Sequence, residues 1–591
     1  MRTLIAATLL AGILGLGLAH AADTPAARLN SLVEAYWQES LALDPLEATF
    51  LGDHRYDAQL PNSIGSAHLS LELALERRYL KEIAGIDPGT LGPDDRLTLE
   101  IFRRDREEHI EGFRYQSELL PFNQFYGLPQ LMAQLGSGSS AQPFKTVRDY
   151  ENWLKRIDGF IAWVDQAIAN MRRGAAKGVV QPKVLMERAL PQLADLIAAD
   201  PTKSVFYRPV ASFPDSIAAA EQARLRQAYA SAIATRLNPA YQRLHDFIQT
   251  EYLPETRASV GFTDLPLGKE WYAYRVRVQT TTTLTPESVH AIGLAEVTRI
   301  GAEMDGVIAS LGFKGDRKAF FDSLRADPRF YFEHEEDLLG AYRALKDKVR
   351  ARLPEQFDLA PVADFEIRAV EAFRARSQAS ASYQGAAPDG SRPGVFYVNT
   401  YDLRSRPKYM MEAVYLHEAE PGHHFQISIK QELKSLPSFR RFGNYGAYAE
   451  GWGLYSESLG RDLGFYTDPY NYVGALSLEI WRAVRLVVDT GIHAKGWSRD
   501  KAIDYMMANT ALGPTDAIAE VERYIALPGQ ALTYKLGELK IKELKARAQR
   551  ELGGRFDVRL FHRTILDGGS LPLEILDQKV ARWITARKSV P

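Results

Sequence analysis

"YLHEAEPGHHFQ", residues 415–426, gathers three of the chain's twelve histidines and two glutamates into one short stretch. His417-Glu418 opens like a zinc-binding helix, where His-Glu-x-x-His sets two imidazoles one turn apart on one face. Four residues after His417, however, stands Pro421, which binds no metal. His417 and His423 are six apart, so an undistorted helix would rotate them by roughly 600° and leave them about 120° out of line. His424 returns to the face of His417 but lies about 10.5 Å up the axis. Pro421 lacks the N–H that would bond the carbonyl of residue 417, and it drives Glu420 away from helical dihedrals. Gly422 accepts whatever backbone follows. The expectation is a local bulge that absorbs two residues inside the helix. With Glu420 and Pro421 looped out, the remainder reads His-Glu-Ala-Gly-His, an ordinary zinc pattern, though His424 stays open as the second ligand.

A catalytic zinc takes three protein ligands and leaves a fourth position for water. The next acidic segment, "NYGAYAEGWGLYSESLGRDLG" (444–464), supplies Glu450 and Glu457, seven apart and therefore on one face. Glu450 is flanked by Ala447, Ala449, Gly451 and Gly453, small enough for close helix approach. It is the expected third ligand, with Glu457 as a supporting partner or a surface residue. His334-Glu335 has no following histidine and reads as a plain surface helix. The expected cofactor is one zinc ion per chain, other divalent metals being compatible.

At 591 residues the chain exceeds the size of a single growing core, so two lobes or one multi-layer fold are expected. Apolar residues at 46% and charged residues at 25% are globular values, and a net charge of -2 offers no footprint for nucleic acid. The mixed-sign run "RRDREEHIEGFR" (103–114) reads as a solvated helix face. Arg2, the apolar run from 4 to 19 and "AHA" at 19–21 read as a secretory signal peptide cut after Ala21, which implies a periplasmic or secreted protein with no membrane span thereafter. With no cysteine, the chain has no disulfide, thiolate ligand, cysteine nucleophile or lipidated cysteine.

The remaining chain reads as mainly α. Leu29, Leu32, Val33, Tyr36 and Leu41 form a stripe at helical spacing, and Thr285 with Pro286 opens a helix that runs to Gly312. Similar periodicity spans 217–250, 335–352, 473–490 and 535–551. "GVFYVNT" (394–400) is the one strand-like segment, read either as an edge strand that pairs with an extended peptide, with Tyr397 and Asn399 at the substrate, or as a minor structural strand. A soft boundary divides an N-terminal helical portion (22–375) from a C-terminal metal-binding portion (376–591). Arg482 and Arg485 are either binders of a substrate carboxylate or ordinary surface charges.

Several segments together resemble the family designated DUF885, placed near the gluzincin metallopeptidases: "DPLEATFLGDHRYDAQLP" (44–61), "DGSRPGVFYVNT" (389–400), "HEAEPGHHFQ" (417–426), "YAEGWGLYSE" (448–457), "DTGIHAKGWSRDKAIDYM" (489–506) and "PGQALTYKLGELKI" (528–541). The resemblance implies a large helical zincin-type fold with a small β element beside the metal helix. It also implies peptidase-like activity, ligands at His417, His423 and Glu450, and Glu418 as general base. For the oxyanion, a tyrosine or histidine beyond the glutamate helix is expected: Tyr534 first, then His493 or Tyr524. The expected substrate is a peptide. A non-peptide or cell-wall amide, or a helical binding protein with a structural metal, are the competing readings. No Gly-x-Ser-x-Gly elbow or phosphate loop is present.

Overall fold

The structure is a computed structural model that describes residues 24–371, 375, 379–387, 390 and 392–589. The signal-peptide reading and the cleavage after Ala21 fall outside the described residues, as does part of the expected boundary near 376–394. The fold is mainly α with one three-stranded sheet. Elements needed below are α1 (Pro25–Leu43), α2 (Pro93–Gly112), α3 (Val147–Lys177), α4 (Pro286–Ser310), α5 (Glu335–Arg352), β1 (Phe365–Ala369), β2 (Ala381–Gln384), β3 (Gly394–Val398), α6 (Met411–Glu418), α7 (His423–Glu432), α8 (Gly446–Ser458), α9 (Pro469–Lys495), α10 (Pro514–Ala526) and α11 (Thr533–Leu552).

Local signals set these helices. In α1, Leu29, Val33, Tyr36 and Leu41 are buried, and Thr24 caps the N-terminus by accepting from Ala27 N. Thr285 does the same for α4, accepting from Ser288 N at 3.2 Å with Pro286 at the first position. The run 103–114 is only partly a solvated face. Arg106 is buried against Glu76 and the ring of Tyr36, and Asp105 accepts from the Tyr445 hydroxyl at 2.8 Å. Opposite charges at helical spacing hid which face turned inward.

Two large cores carry the molecule. One surrounds α3 and takes in α9 and α10, with Trp153, Phe160, Val484, Val487 and Tyr524. The other joins α1 and α2 to the sheet, α6, α8 and the C-terminal helices. Both draw residues from either side of 376. Helix α9 lies along α4, where a Cβ on Gly293 would sit 2.7 Å from Leu486 Cβ. Helix α8 lies along α11 so closely that a Cβ on Gly451 would sit 2.4 Å from Gly537 Cα. Among the described residues, no helix is long and apolar enough to cross a membrane.

The sheet order is β1-β3-β2, with β1 parallel and β2 antiparallel to β3. This corrects the edge-strand expectation: "GVFYV" is the central strand, and both of its hydrogen-bonding edges are occupied. Its near-continuous burial is the mark of a strand covered on both faces, with Phe396 against Tyr342 and Tyr415.

Burial pushes His493, His562 and His424 down to about 3. Unfolded, each would bind its proton near pH 6.5, so between these values unfolding takes up protons and stability falls as the pH falls. Asp489, pushed up to about 7 by burial, has the opposite sign: its proton is held by the folded state and lost on unfolding. Between pH 5 and 6 the three histidines outweigh Asp489, so unfolding takes up protons on balance at these groups. Calorimetry in buffers of different protonation enthalpy measures the uptake; Asp489→Asn raises it by about one proton, and an unchanged uptake would contradict the assignment. Separately, Gly451→Val forces α8 from α11 and lowers stability by about 1–3 kcal/mol in urea titration, whereas an unchanged midpoint would show the contact can relax.

Candidate metal centre

The helix expected to contain a bulge is interrupted outright. Helix α6 ends at Glu418 and α7 begins at His423, with Ala419 at φ -106°, ψ -103° and Gly422 at φ -75°, ψ -129° between them. One backbone bond, Phe425 N to Ala419 O at 3.4 Å, bridges the break. The Glu420-Pro421 peptide is cis. A Cβ on Gly422 would lie 1.9 Å from the carbonyl oxygen of His417, so only glycine fits this turn.

Three contacts hold the break. Trp452 Nε1 in α8 donates to the Pro421 carbonyl at 2.7 Å. Arg350 in α5 binds the Glu420 carboxylate bidentately, its Nε at 2.9 and 3.1 Å and its Nη2 at 3.0 Å. The Tyr415 hydroxyl adds a third contact at 3.3 Å. Glu420 is therefore a buried anchor for the loop. Neither Arg350 nor Trp452 could be found by sequence spacing, because both partners are distant in the chain.

The result is a convergence of donors. His417, His423 and Glu450 each present one ligand atom within 4.8 Å of the others. Glu450 Oε2 lies 3.6 Å from His417 Nε2 and 3.4 Å from His423 Nε2, and the two imidazole planes stand at 84°. Glu457 accepts from His417 Nδ1 at 2.8 Å, which fixes the tautomer that aims Nε2 at Glu450. Gly453 makes this packing possible, since a Cβ there would stand 2.8 Å from His417 Cε1. Burial disfavours the His417 cation, but the Glu450 and Glu457 carboxylates outweigh it and lift the group to about 9. The two imidazoles likewise hold the half-buried Glu450 well below the usual carboxylate range. This is an anionic pocket built to stabilise positive charge, and two imidazoles with one carboxylate form a donor set suited to zinc.

Glu418, half-buried beside His417, makes no hydrogen bond or ion pair among the described residues. Tyr534 in α11 stacks on the His417 ring, with centroids 6.5 Å apart and planes at 15°. Burial and the Glu450 charge raise its hydroxyl pKa, while Arg485 and Arg523 oppose them.

Other expected site residues lie elsewhere. His424 points away: its Nδ1 meets the Tyr383 hydroxyl at 2.9 Å and its ring packs on Phe365, so it joins α7 to the sheet. His493 accepts from Phe262 N at 3.2 Å and donates to Tyr524 O at 2.9 Å, leaving neither nitrogen for an oxyanion. The Tyr524 hydroxyl donates to Glu520 at 2.6 Å and accepts from Arg485 Nε at 3.1 Å, so its proton is also committed. Tyr397 sits in the central strand, paired with Arg368 and Ser382 on either side. Asn399 is buried and ties the backbone at Ala375 and Ala379 to the end of β3, at 2.7 and 3.2 Å. Arg482 is buried behind His417 with its Nη2 3.5 Å from Glu457, a charge on the supporting side of the site. Helical periodicity gives a residue's face but not which of several inward residues meets the cleft.

Comparison with known proteins places these features in a wider set. The structure is similar to that of a "putative lipoprotein" from Colwellia psychrerythraea, with 28% identity, a TM-score of 0.88, and coverage of 95% of this chain and 100% of that one. It also matches a "putative lipoprotein of unknown function" from Shewanella oneidensis at 18% identity and a TM-score of 0.74, covering 93% and 99% of the two chains, a likeness of fold. No curated protein matches the chain significantly. The sequence profile described as "Bacterial protein of unknown function (DUF885)" matches residues 45–580, and the chain belongs to that family.

Proposed function

We propose that this protein is an extracytoplasmic, gluzincin-like metallohydrolase that cleaves amide bonds in short peptides. The observation that carries the reading is the convergence of His417, His423 and Glu450 within 4.8 Å, beside Glu418, which makes no hydrogen bond or ion pair among the described residues. A structural zinc site is normally closed by four protein ligands, whereas this set of three leaves a position open. A divalent ion held there would supply Lewis acidity, polarising an amide carbonyl and lowering the pKa of water toward neutrality.

The chain's own groups would do the rest. Glu418 takes the proton of the attacking water and delivers it to the leaving amine. The Tyr534 hydroxyl, kept protonated by burial and by Glu450, donates a hydrogen bond to the oxygen that gains charge. Glu457 holds His417 in register. The extracytoplasmic address rests on the leader-like segment before residue 22 and on the lipoprotein description of the similar structures. Lacking any cysteine, this chain would share that address without a cysteine-borne lipid.

Glu418→Gln is expected to abolish peptide turnover while elemental analysis still finds about one zinc per chain. Turnover within the wild-type range would remove Glu418 as the base. Tyr534→Phe lowers kcat by about 10²–10³-fold with KM little changed if it serves the oxyanion. Glu450→Ala is expected to lose the ion outright, and Glu457→Gln to weaken zinc affinity by about 10- to 100-fold in a chelator competition. Full zinc retention by both variants would place the ligands elsewhere.

A further inference from the structure

Beyond the metal-binding groups, Tyr534 has a second neighbour. The guanidinium of Arg485 lies 4.4 Å from the centre of the Tyr534 ring and 4.5 Å from that of Trp481, held between the two aromatic faces. Its side chain is 5% exposed. Nε donates to the Tyr524 hydroxyl at 3.1 Å and Nη2 pairs with Glu520 at 3.2 Å, but Nη1 is buried with no hydrogen-bond partner among the described residues. Arg523, one turn along α10, pairs with the same Glu520 at 2.9 Å and donates to Gln530 at 2.8 Å. Its Nε is likewise buried and unpartnered.

Glu520 is ionised throughout the working pH range. Burial opposes its charge, but the two arginines and the Tyr524 hydroxyl hold it near 2. Among the described residues it is the only carboxylate within ion-pair distance of either guanidinium. The buried Arg485 and the half-buried Arg523 thus share one anion, which leaves a positive charge and two N–H groups unanswered among the described residues. Leaving such groups unpaired is costly in a folded protein. The planar donor fork of arginine matches a carboxylate.

We infer that the Arg485–Arg523 pair receives the free α-carboxylate at the C-terminus of the substrate, so that the protein acts as an exopeptidase trimming short peptides from that end. This rests on the hydrolase reading above for the cleavage and on the arginine pair for the specificity. Arg485 and His417 both stand against the Tyr534 ring, while the Arg523 guanidinium lies 5.3 Å from the centre of the neighbouring Tyr524 ring. With the Arg485 guanidinium 4.4 Å and the His417 ring 6.5 Å from the centre of the Tyr534 ring, the two are no further apart than about three residues of extended peptide span. A carboxylate bound there would leave an amide bond close to Glu418. Arg482, three residues earlier on the same helix, faces Glu457 instead and takes no part.

The test uses a tripeptide library in matched free-acid, C-terminal amide and N-acetyl forms. Binding is measured to the zinc-loaded Glu418→Gln protein and turnover by the unsubstituted one. The free acids are expected to bind about 10- to 100-fold more tightly than the amides, with N-acetylation changing little. In Arg523→Gln, and in Arg485→Lys, which keeps the charge and loses the fork, that ratio collapses toward one. Equal binding of acid and amide, or no binding of the acids, overturns the inference. Selective binding of acids without cleavage by the unsubstituted protein would leave the receptor standing and defeat the hydrolase reading alone.

Discussion

Everything at this centre depends on the chain stopping its helix after Glu418 and restarting it at His423. An unbroken helix would point the two imidazoles away from each other. The break is affordable because each of its costs is met by a specific contact. Gly422 has no Cβ to strike the His417 carbonyl, and the Trp452 indole takes up the freed Pro421 carbonyl. The buried Glu420 carboxylate is paired with Arg350. That arginine also pairs with Asp364, just ahead of β1, at 2.6 Å. The loop, helix α5 and the sheet are thereby fastened at one point.

A second condition is close approach. Glu450 reaches the imidazoles only because α8 carries glycine where neighbours press on it. Gly453 accommodates the His417 ring, and Gly451 meets Gly537 backbone to backbone. The same glycine contact draws α11 inward, which brings Tyr534 onto the His417 ring. Small residues here are therefore a geometric requirement of the site, although each one weakens the helix that bears it.

Buried charge organises the surroundings on both sides of the ligands. Behind His417, Glu457 and Arg482 form a supporting pair. Beyond Tyr534, two arginines meet a single glutamate. Deeper still, Lys535 is enclosed by Glu296, Glu479 and Glu538 at 3.1, 2.7 and 2.7 Å, which stitches α11 to α4 and α9. Such groups fix orientation more than they add stability, since the desolvation they require offsets much of the attraction.

The sequence by itself determined the helical class, several helices such as those opening at Pro286 and spanning 335–352, and the histidine cluster and glutamate helix from which the three converging residues come. Those readings rest on local chemistry: side-chain periodicity, proline and glycine backbone limits, and capping hydroxyls. It left open whether the strand "GVFYV" is an edge or a structural strand, because an apolar run has the same composition at an edge as at a centre, and only its pairing partners tell them apart. It could not choose between His423 and His424, which differ by one position beside a break of unknown shape. Nor could it separate Arg482 from Arg485, or foresee that His493 and Tyr524 spend their polar atoms on the protein itself. Those outcomes belong to tertiary structure, because they depend on which distant groups arrive at the same point, and spacing along one element carries no record of that.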